Sequence, residues 1–324
     1  MLLGVAVAAG VAGFLYFVLP QIAGLDETWE RIGNGDPWWL GLALCLELLS
    51  YAGYVALLRA VLDDSGVRLG WRRSYEITMA GVAATRLFAT AGAGGIALTA
   101  WALGRAGMPA REVAARLTTF LVVVYAVFMA SLLIGGVGLR TGLFPGEAPF
   151  GLTVVPAIFA AAAISAALAL AAIPGDLADR ARLGRIGSER RRRLARRLAA
   201  GASALGDGTR GALALARRGE PGLLGALAWW GFDIAVLFAC FEAFGDSPEA
   251  AVLVMGYFTG MLANTLPIPG GVGAVEGGMI GAFIGFGVPG GLAIVAVLTY
   301  RVFAFWLPML PGAVAFVQLR RSLG

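Results

Sequence analysis

Glu276 and Arg301 lie inside apolar runs long enough to sit in a lipid bilayer, and Arg86 is a third ionisable group in the same kind of setting. A charge at that depth is expensive, so it reads as part of a path for an ion or a charged substrate. The structural alternative is a buried ion pair between Glu276 and Arg301 that pins two elements together. Just ahead of Glu276 stands Leu266-Pro267-Ile268-Pro269-Gly270-Gly271-Val272-Gly273, within a stretch that is otherwise apolar from Ala250 to Gly287. Two prolines and three glycines cannot continue a helix. Broken backbone at membrane depth is tolerated only where protein covers it or where it lines a wet cavity. A second break, Ala91-Gly92-Ala93-Gly94-Gly95, interrupts the apolar segment Ser74 to Ala110. The candidate substrate-binding set is therefore Arg86, Gly94, Gly95, Asn264, Pro269, Gly270, Gly271, Gly273, Glu276, Tyr300 and Arg301. At the breaks, helix N-termini would present backbone N–H groups to a phosphate.

Other chemistries find little support. The chain has no His, which argues against metal sites and imidazole catalysis, and no cofactor or metal site is expected. The acids Glu47, Asp233 and Glu276 are scattered over three elements and show no catalytic motif, so the chain reads as a non-enzyme. Cys45 and Cys240 lie in apolar spans of different halves and read as buried small hydrophobes, not as a disulfide.

The elements that position these residues follow from hydropathy. Of 324 residues, 59% are hydrophobic and only 14% charged, which marks an all-α polytopic membrane protein. A crossing needs about 20 apolar residues. Leu2 to Ala23, Trp38 to Leu62, Leu117 to Leu139, Gly151 to Ile173, Leu223 to Phe244 and Gly290 to Leu319 meet that, with Pro308 and Pro311 as kink sites in the last. Leu2 to Ala23 has neither a basic flank nor a small-residue cleavage site and reads as a retained helix. The arms on either side of each Gly-rich break are too short to cross alone, so each pair reads as a re-entrant hairpin. The expectation is one membrane domain of six full crossings and two hairpins.

Charge sets the orientation. Residues 174–220 hold twelve arginines and five acids, whereas Gly24 to Pro37, Arg140 to Phe150 and Glu242 to Glu249 carry acids. Basic loops stay in the cytoplasm, which puts both termini there. Within the basic segment, Ser188 to Leu198 reads as an amphipathic helix on anionic headgroups, with nucleic-acid binding not expected. Residues 1–140 then read helix, helix, hairpin, helix from the inside, and residues 150–320 repeat that order from the outside. This is an inverted-topology repeat, whose two hairpin tips would meet near the midplane. Gly107-Met108-Pro109 and Gly287-Val288-Pro289 follow the two breaks at similar spacing, and Glu47 and Asp233 both sit midway along the second helix of their half.

The run from Pro267 to Glu276, the Gly-x-Pro after it, Tyr300-Arg301 and Trp306 to Pro308 resemble the lysylphosphatidylglycerol synthetase transmembrane region, or flippase-like domain family. Leu103 to Pro109 resembles the first half of that family, and the resemblance covers nearly the whole chain. It implies a protein of the bacterial inner membrane that moves an anionic or aminoacylated phospholipid between leaflets. It does not imply synthetase activity, because the expected membrane region is without the soluble aminoacyl-transferring domain of the fused members. A secondary transporter of a small solute explains an inverted repeat equally well, as does a membrane subunit serving a lipid-modifying enzyme. A closed midplane cavity would point to the solute transporter, a groove open sideways to lipid to the flippase. Homo-oligomerisation stays open.

Overall fold

Residues 33–63, 69–87, 93–173, 189–265 and 271–323 are described in the computed structural model, and every regular element among them is helical. In chain order these are α1 (Pro37–Leu62), α2 (Trp71–Leu87), α3 (Ala93–Arg105), α4 (Ala110–Arg140), α5 (Phe150–Ala172), α6 (Glu189–Arg217), α7 (Leu224–Glu242), α8 (Ala250–Met261), α9 (Ala274–Gly285), α10 (Gly290–Arg301) and α11 (Met309–Leu323). Five helical stretches are long and apolar enough to cross a membrane: Pro37–Leu62, Ala110–Arg140, Phe150–Ala172, Pro221–Glu242 and Gly290–Ser322. They match five of the six expected crossings. The sixth, Leu2 to Ala23, lies outside the described residues.

Local chemistry fixes the ends. Asp36 accepts the Trp38 N–H at 2.8 Å with Pro37 at the first helical position, which starts α1 cleanly. The two Gly-x-Pro corners share one geometry. Gly107 and Gly287 take positive φ of 96° and 85°. The Met108 and Val288 N–H groups each reach back to the carbonyl five residues earlier, Leu103 and Phe283, and Pro109 and Pro289 then open the next helix. That is a glycine-dependent helix stop in both halves.

The packing is reciprocal. The second helices, α1 and α7, lie against each other. Helix α2 of the first half packs on α11 of the second, and α8 of the second packs on α4 of the first, while α2 pairs with α3 and α8 with α9. Helices α8 and α9 have 12 residues each, about 18 Å at 1.5 Å per residue, against a hydrocarbon core of about 30 Å.

Small residues make the closest approaches. A Cβ on Gly53 of α1 would stand 2.8 Å from the Gly225 carbonyl oxygen of α7, and a Cβ on Gly225 would collide with the Gly53 carbonyl in return. Gly225→Val is therefore expected to collapse yield and thermal stability in detergent, whereas Gly231→Ala, with nothing within 4 Å of its Cβ, should leave both unchanged. Equal melting temperatures for the two variants would refute this close contact.

Two expectations need correction. The basic segment is not a lone surface helix, because α6 runs on to Arg217 and its second part docks against α4 and α5. Gly206, Gly208 and Gly211 make the docking surface, and Arg210 donates to the Ala171 carbonyl at 2.9 Å, closing the end of α5. The pattern of arginines hid this, since most of them cluster at the start of the helix and the docked part is marked by small residues. Cys45 is exposed on the outer face of α1, while Cys240 is fully buried, and both are free thiols.

Candidate functional site

The last crossing does not run as one α-helix. Between α10 and α11 the backbone makes a π-helical turn over Val302–Trp306, closed by the Leu307 N–H bonding the Val302 carbonyl. Pro308 follows, and it has no N–H to offer the Ala304 carbonyl four residues before it. A carbonyl stranded in the bilayer interior needs another donor. Arg86, at the end of α2, supplies it: its guanidinium donates to the carbonyls of both Ala304 and Phe305 and, at 2.7 Å, to the Tyr51 hydroxyl of α1. Sequence reasoning placed Arg86 on a substrate path; the structure adds that it bridges three elements.

Around Arg86 lies a cavity of about 330 Å³. Its walls bring together Glu47 and Tyr51 of α1, Gly95 of α3, Trp229, Trp230 and Asp233 of α7, Asn264 after α8, Gly271 before α9, and Tyr300 and Arg301 of α10. Asp233 is 7% exposed, and its Oδ2 accepts the phenol O–H groups of Tyr257 and Tyr300. Glu47 is 3% exposed and its Oε2 has no hydrogen-bond partner. The Trp230 indole N–H is anchored on the Val124 carbonyl at 2.9 Å, which fixes the aromatic wall.

Glu276 and Arg301 do meet. Arg301 Nε donates to Glu276 Oε1 at 2.7 Å, Gly273 N–H donates to Oε2 at 2.7 Å, and the guanidinium lies 4.2 Å from the centre of the Phe305 ring. Glu276 therefore caps the first turn of α9 and holds Arg301 from behind. Arg301 lines the cavity; Glu276 and Gly273 do not. Gly95 packs against α2 at Gly81 and Thr85, so the first hairpin closes backbone to backbone, and Gly94 beside it does not line the cavity. Pro269 and Gly270 lie outside the described residues.

Gly271 has φ of 65°, and a Cβ there would fall 2.5 Å from Asn264 Oδ1. Gly271→Leu should accordingly abolish function, being both strained and overpacked, while Gly290→Ala, whose Cβ would find only ordinary contact with Ile284, should be mild. Comparable activity in the two variants would remove the case for a packed tip.

Reasoning from sequence alone missed Glu47, Tyr51, Asp233 and Tyr257 as site residues. The sequence signal was partial: Glu47 and Asp233 sit midway along the second helix of their halves, and only the structure shows that those two helices pack on each other.

A second space, of about 540 Å³, runs between α1, α2 and α11 and is lined mostly by apolar side chains such as Leu44, Leu48, Val55 and Leu310. Leu48 and Leu310 are 65% and 70% exposed along it. It shares Glu47 and Tyr51 with the polar cavity.

The family model described as the lysylphosphatidylglycerol synthase TM region matches residues 1–312. Among curated proteins, two UPF0104 membrane proteins of Methanothermobacter thermautotrophicus are similar, at 32% identity over 99 residues and 33% over 90 residues. Those stretches are 30% and 28% of this chain and 28% and 27% of the relatives, so less than a third of each relative is matched.

Proposed function

The chain belongs to the lysylphosphatidylglycerol synthase transmembrane-region family, and from that premise we propose that it moves a phospholipid with an anionic or aminoacylated headgroup between the leaflets of the bacterial inner membrane. The observation that carries this reading is the junction of two spaces at Glu47 and Tyr51. A polar cavity with charges of both signs suits a headgroup, and an apolar groove beside it suits acyl chains that never leave lipid. An enclosed solute site would need no such groove. No covalent chemistry on the lipid is required of these residues, so the proposed role is transport and not catalysis.

The architecture we infer is six crossings with two re-entrant hairpins in an inverted repeat, both termini being cytoplasmic. Three observations support it: the reciprocal packing of α2 on α11 and α8 on α4, the shared geometry of the Gly107 and Gly287 corners, and the short α8 and α9. In a cysteine-free background, a cysteine at Ala204 should be shielded from an impermeant thiol reagent in intact cells and one at Asn34 should label. The reverse pattern overturns the orientation.

Purified protein reconstituted in phosphatidylglycerol-containing vesicles tests the function. Fluorescent phosphatidylglycerol in the inner leaflet should become accessible to an impermeant quencher, and lysyl-phosphatidylglycerol should compete with it. Absence of lipid movement in vesicles that retain folded protein refutes the proposal.

A further inference from the structure

Glu47 of α1 and Asp233 of α7 come from distant parts of the chain and end in the wall of the same cavity, close enough to interact. Asp233 is already the acceptor of two phenol O–H groups, so it is built to be the anion of the two. Glu47 is the opposite case. Its Oε2 is buried without a donor, and the other buried side-chain polar atoms lacking partners among the described residues are all hydroxyl oxygens. A carboxylate oxygen is acceptor-only, but a protonated one becomes a donor. A proton on Glu47 would thus give this carboxyl a donor to offer the neighbouring Asp233 anion.

The surrounding charges agree. Glu276 and Arg301 neutralise each other, which leaves the Arg86 guanidinium as the cation beside two carboxyls. Tyr51 adds a phenol from α1, Tyr257 and Tyr300 from α8 and α10, Tyr125 from α4 across the cavity, and Cys240 a thiol from α7. Tyr75 and Arg72 of α2 line the apolar groove with Glu47, and the π turn offers Arg86 only backbone carbonyls. With Arg86 the cation left to balance them among the described residues, two interacting buried carboxyls do not both ionise; they share a proton. A metal cation is a poorer occupant, because hard cations need several oxygen ligands and here Asp233 Oδ2 already accepts two phenol O–H groups.

We propose that Glu47 and Asp233 together bind one exchangeable proton, and that this proton is the coupling ion of lipid movement. The proposal rests on the lipid-moving reading. In the cycle, Glu47 carries the proton as its O–H and donates a hydrogen bond to the Asp233 carboxylate. When the cavity is wet, the proton passes from Glu47 to water, both carboxyls are ionised, and Arg86 faces an added negative charge instead of a headgroup phosphate. Reprotonation from the other side reverses this. Proton and anionic headgroup therefore favour the same state, since each relieves an imbalance left by the other.

Two measurements test it. The infrared spectrum of solubilised wild-type protein near neutral pH should contain the carbonyl stretch of a protonated carboxyl group, shifted in heavy water and lost in Glu47→Gln. Asp233→Asn should perturb the same band, and serves if Glu47→Gln does not fold. In vesicles, a one-to-one coupled carrier under a gradient of one pH unit should hold about a tenfold ratio of fluorescent phosphatidylglycerol between leaflets at steady state. In Glu47→Gln the gradient should concentrate lipid in neither leaflet. A wild-type protein that moves lipid but ignores the gradient overturns the coupling and leaves the lipid reading intact. One that moves no lipid overturns that reading and the coupling with it. Absence of the protonated-carboxyl band in the wild type overturns the shared proton whatever the transport shows.

Discussion

Arg301→Ala is expected to lose about 3–5 kcal/mol of folding stability and to abolish lipid translocation, because it leaves Glu276 charged and buried with one backbone N–H for company. Glu276→Gln should be milder in stability, since a neutral amide can still accept from Gly273. It should nonetheless depress transport, as Arg301 loses the group that fixes its direction. The informative variant is the double change Glu276→Leu with Arg301→Met. Replacing a buried ion pair with apolar groups of similar volume is often neutral or stabilising, so the melting temperature should return close to that of the wild type. Transport should not return, because Arg301 lines the cavity. Recovery of both in the double variant would reduce the pair to a structural staple and remove it from the headgroup site.

Arg86→Lys comes next in expected effect. Three of the five guanidinium N–H groups are committed to the Ala304 carbonyl, the Phe305 carbonyl and Tyr51. An ammonium is a point donor and cannot span that fork, so at least one carbonyl at the π turn is left bare, at a cost of about 1–3 kcal/mol. Adding Pro308→Ala should recover part of that loss, since it restores an N–H within reach of the Ala304 carbonyl. Translocation of phosphatidylglycerol should fall by about tenfold to a hundredfold in both the single and the double variant, the range expected when a charge-assisted contact worth about 1.5–3 kcal/mol is lost. If the double variant regains transport, Arg86 acts only as a helix cap.

The hydropathy pattern located the five crossings among the described residues to within a few residues, except that α4 begins at Ala110 and not near Leu117. The polar first turns there, with Arg111, Glu112 and Arg116, continue the helix beyond the apolar run. The breaks were legible because Pro and Gly have few other uses in such sequence. The pairing of Glu276 with Arg301 was legible because a charge in hydrocarbon has so few ways to be satisfied. What the pattern did not carry is lateral packing: which face of α6 docks, which side of α1 exposes Cys45, and that Glu47 and Asp233 face each other. Those depend on helix rotation, which Ala- and Leu-rich spans with little amphipathic contrast do not encode. Pro308 was visible as a kink, but its consequence for Arg86 needed the position of α2.

The crossing of α1 and α7 at Gly53 and Gly225 has a mechanical side. Most helix pairs interlock through side chains that act as teeth, and turning one helix on the other means lifting each tooth from its socket. At this crossing the glycine backbones approach closely, with Ala228 and Leu57 as the nearest side chains, while Tyr54 and Trp229 meet edge to face beside it. A rotation of α1 on α7 would pivot where the glycines meet and would have to carry Tyr54 past Trp229. Glu47 and Asp233 are carried by these two helices, so such a rotation changes the distance between their carboxyls.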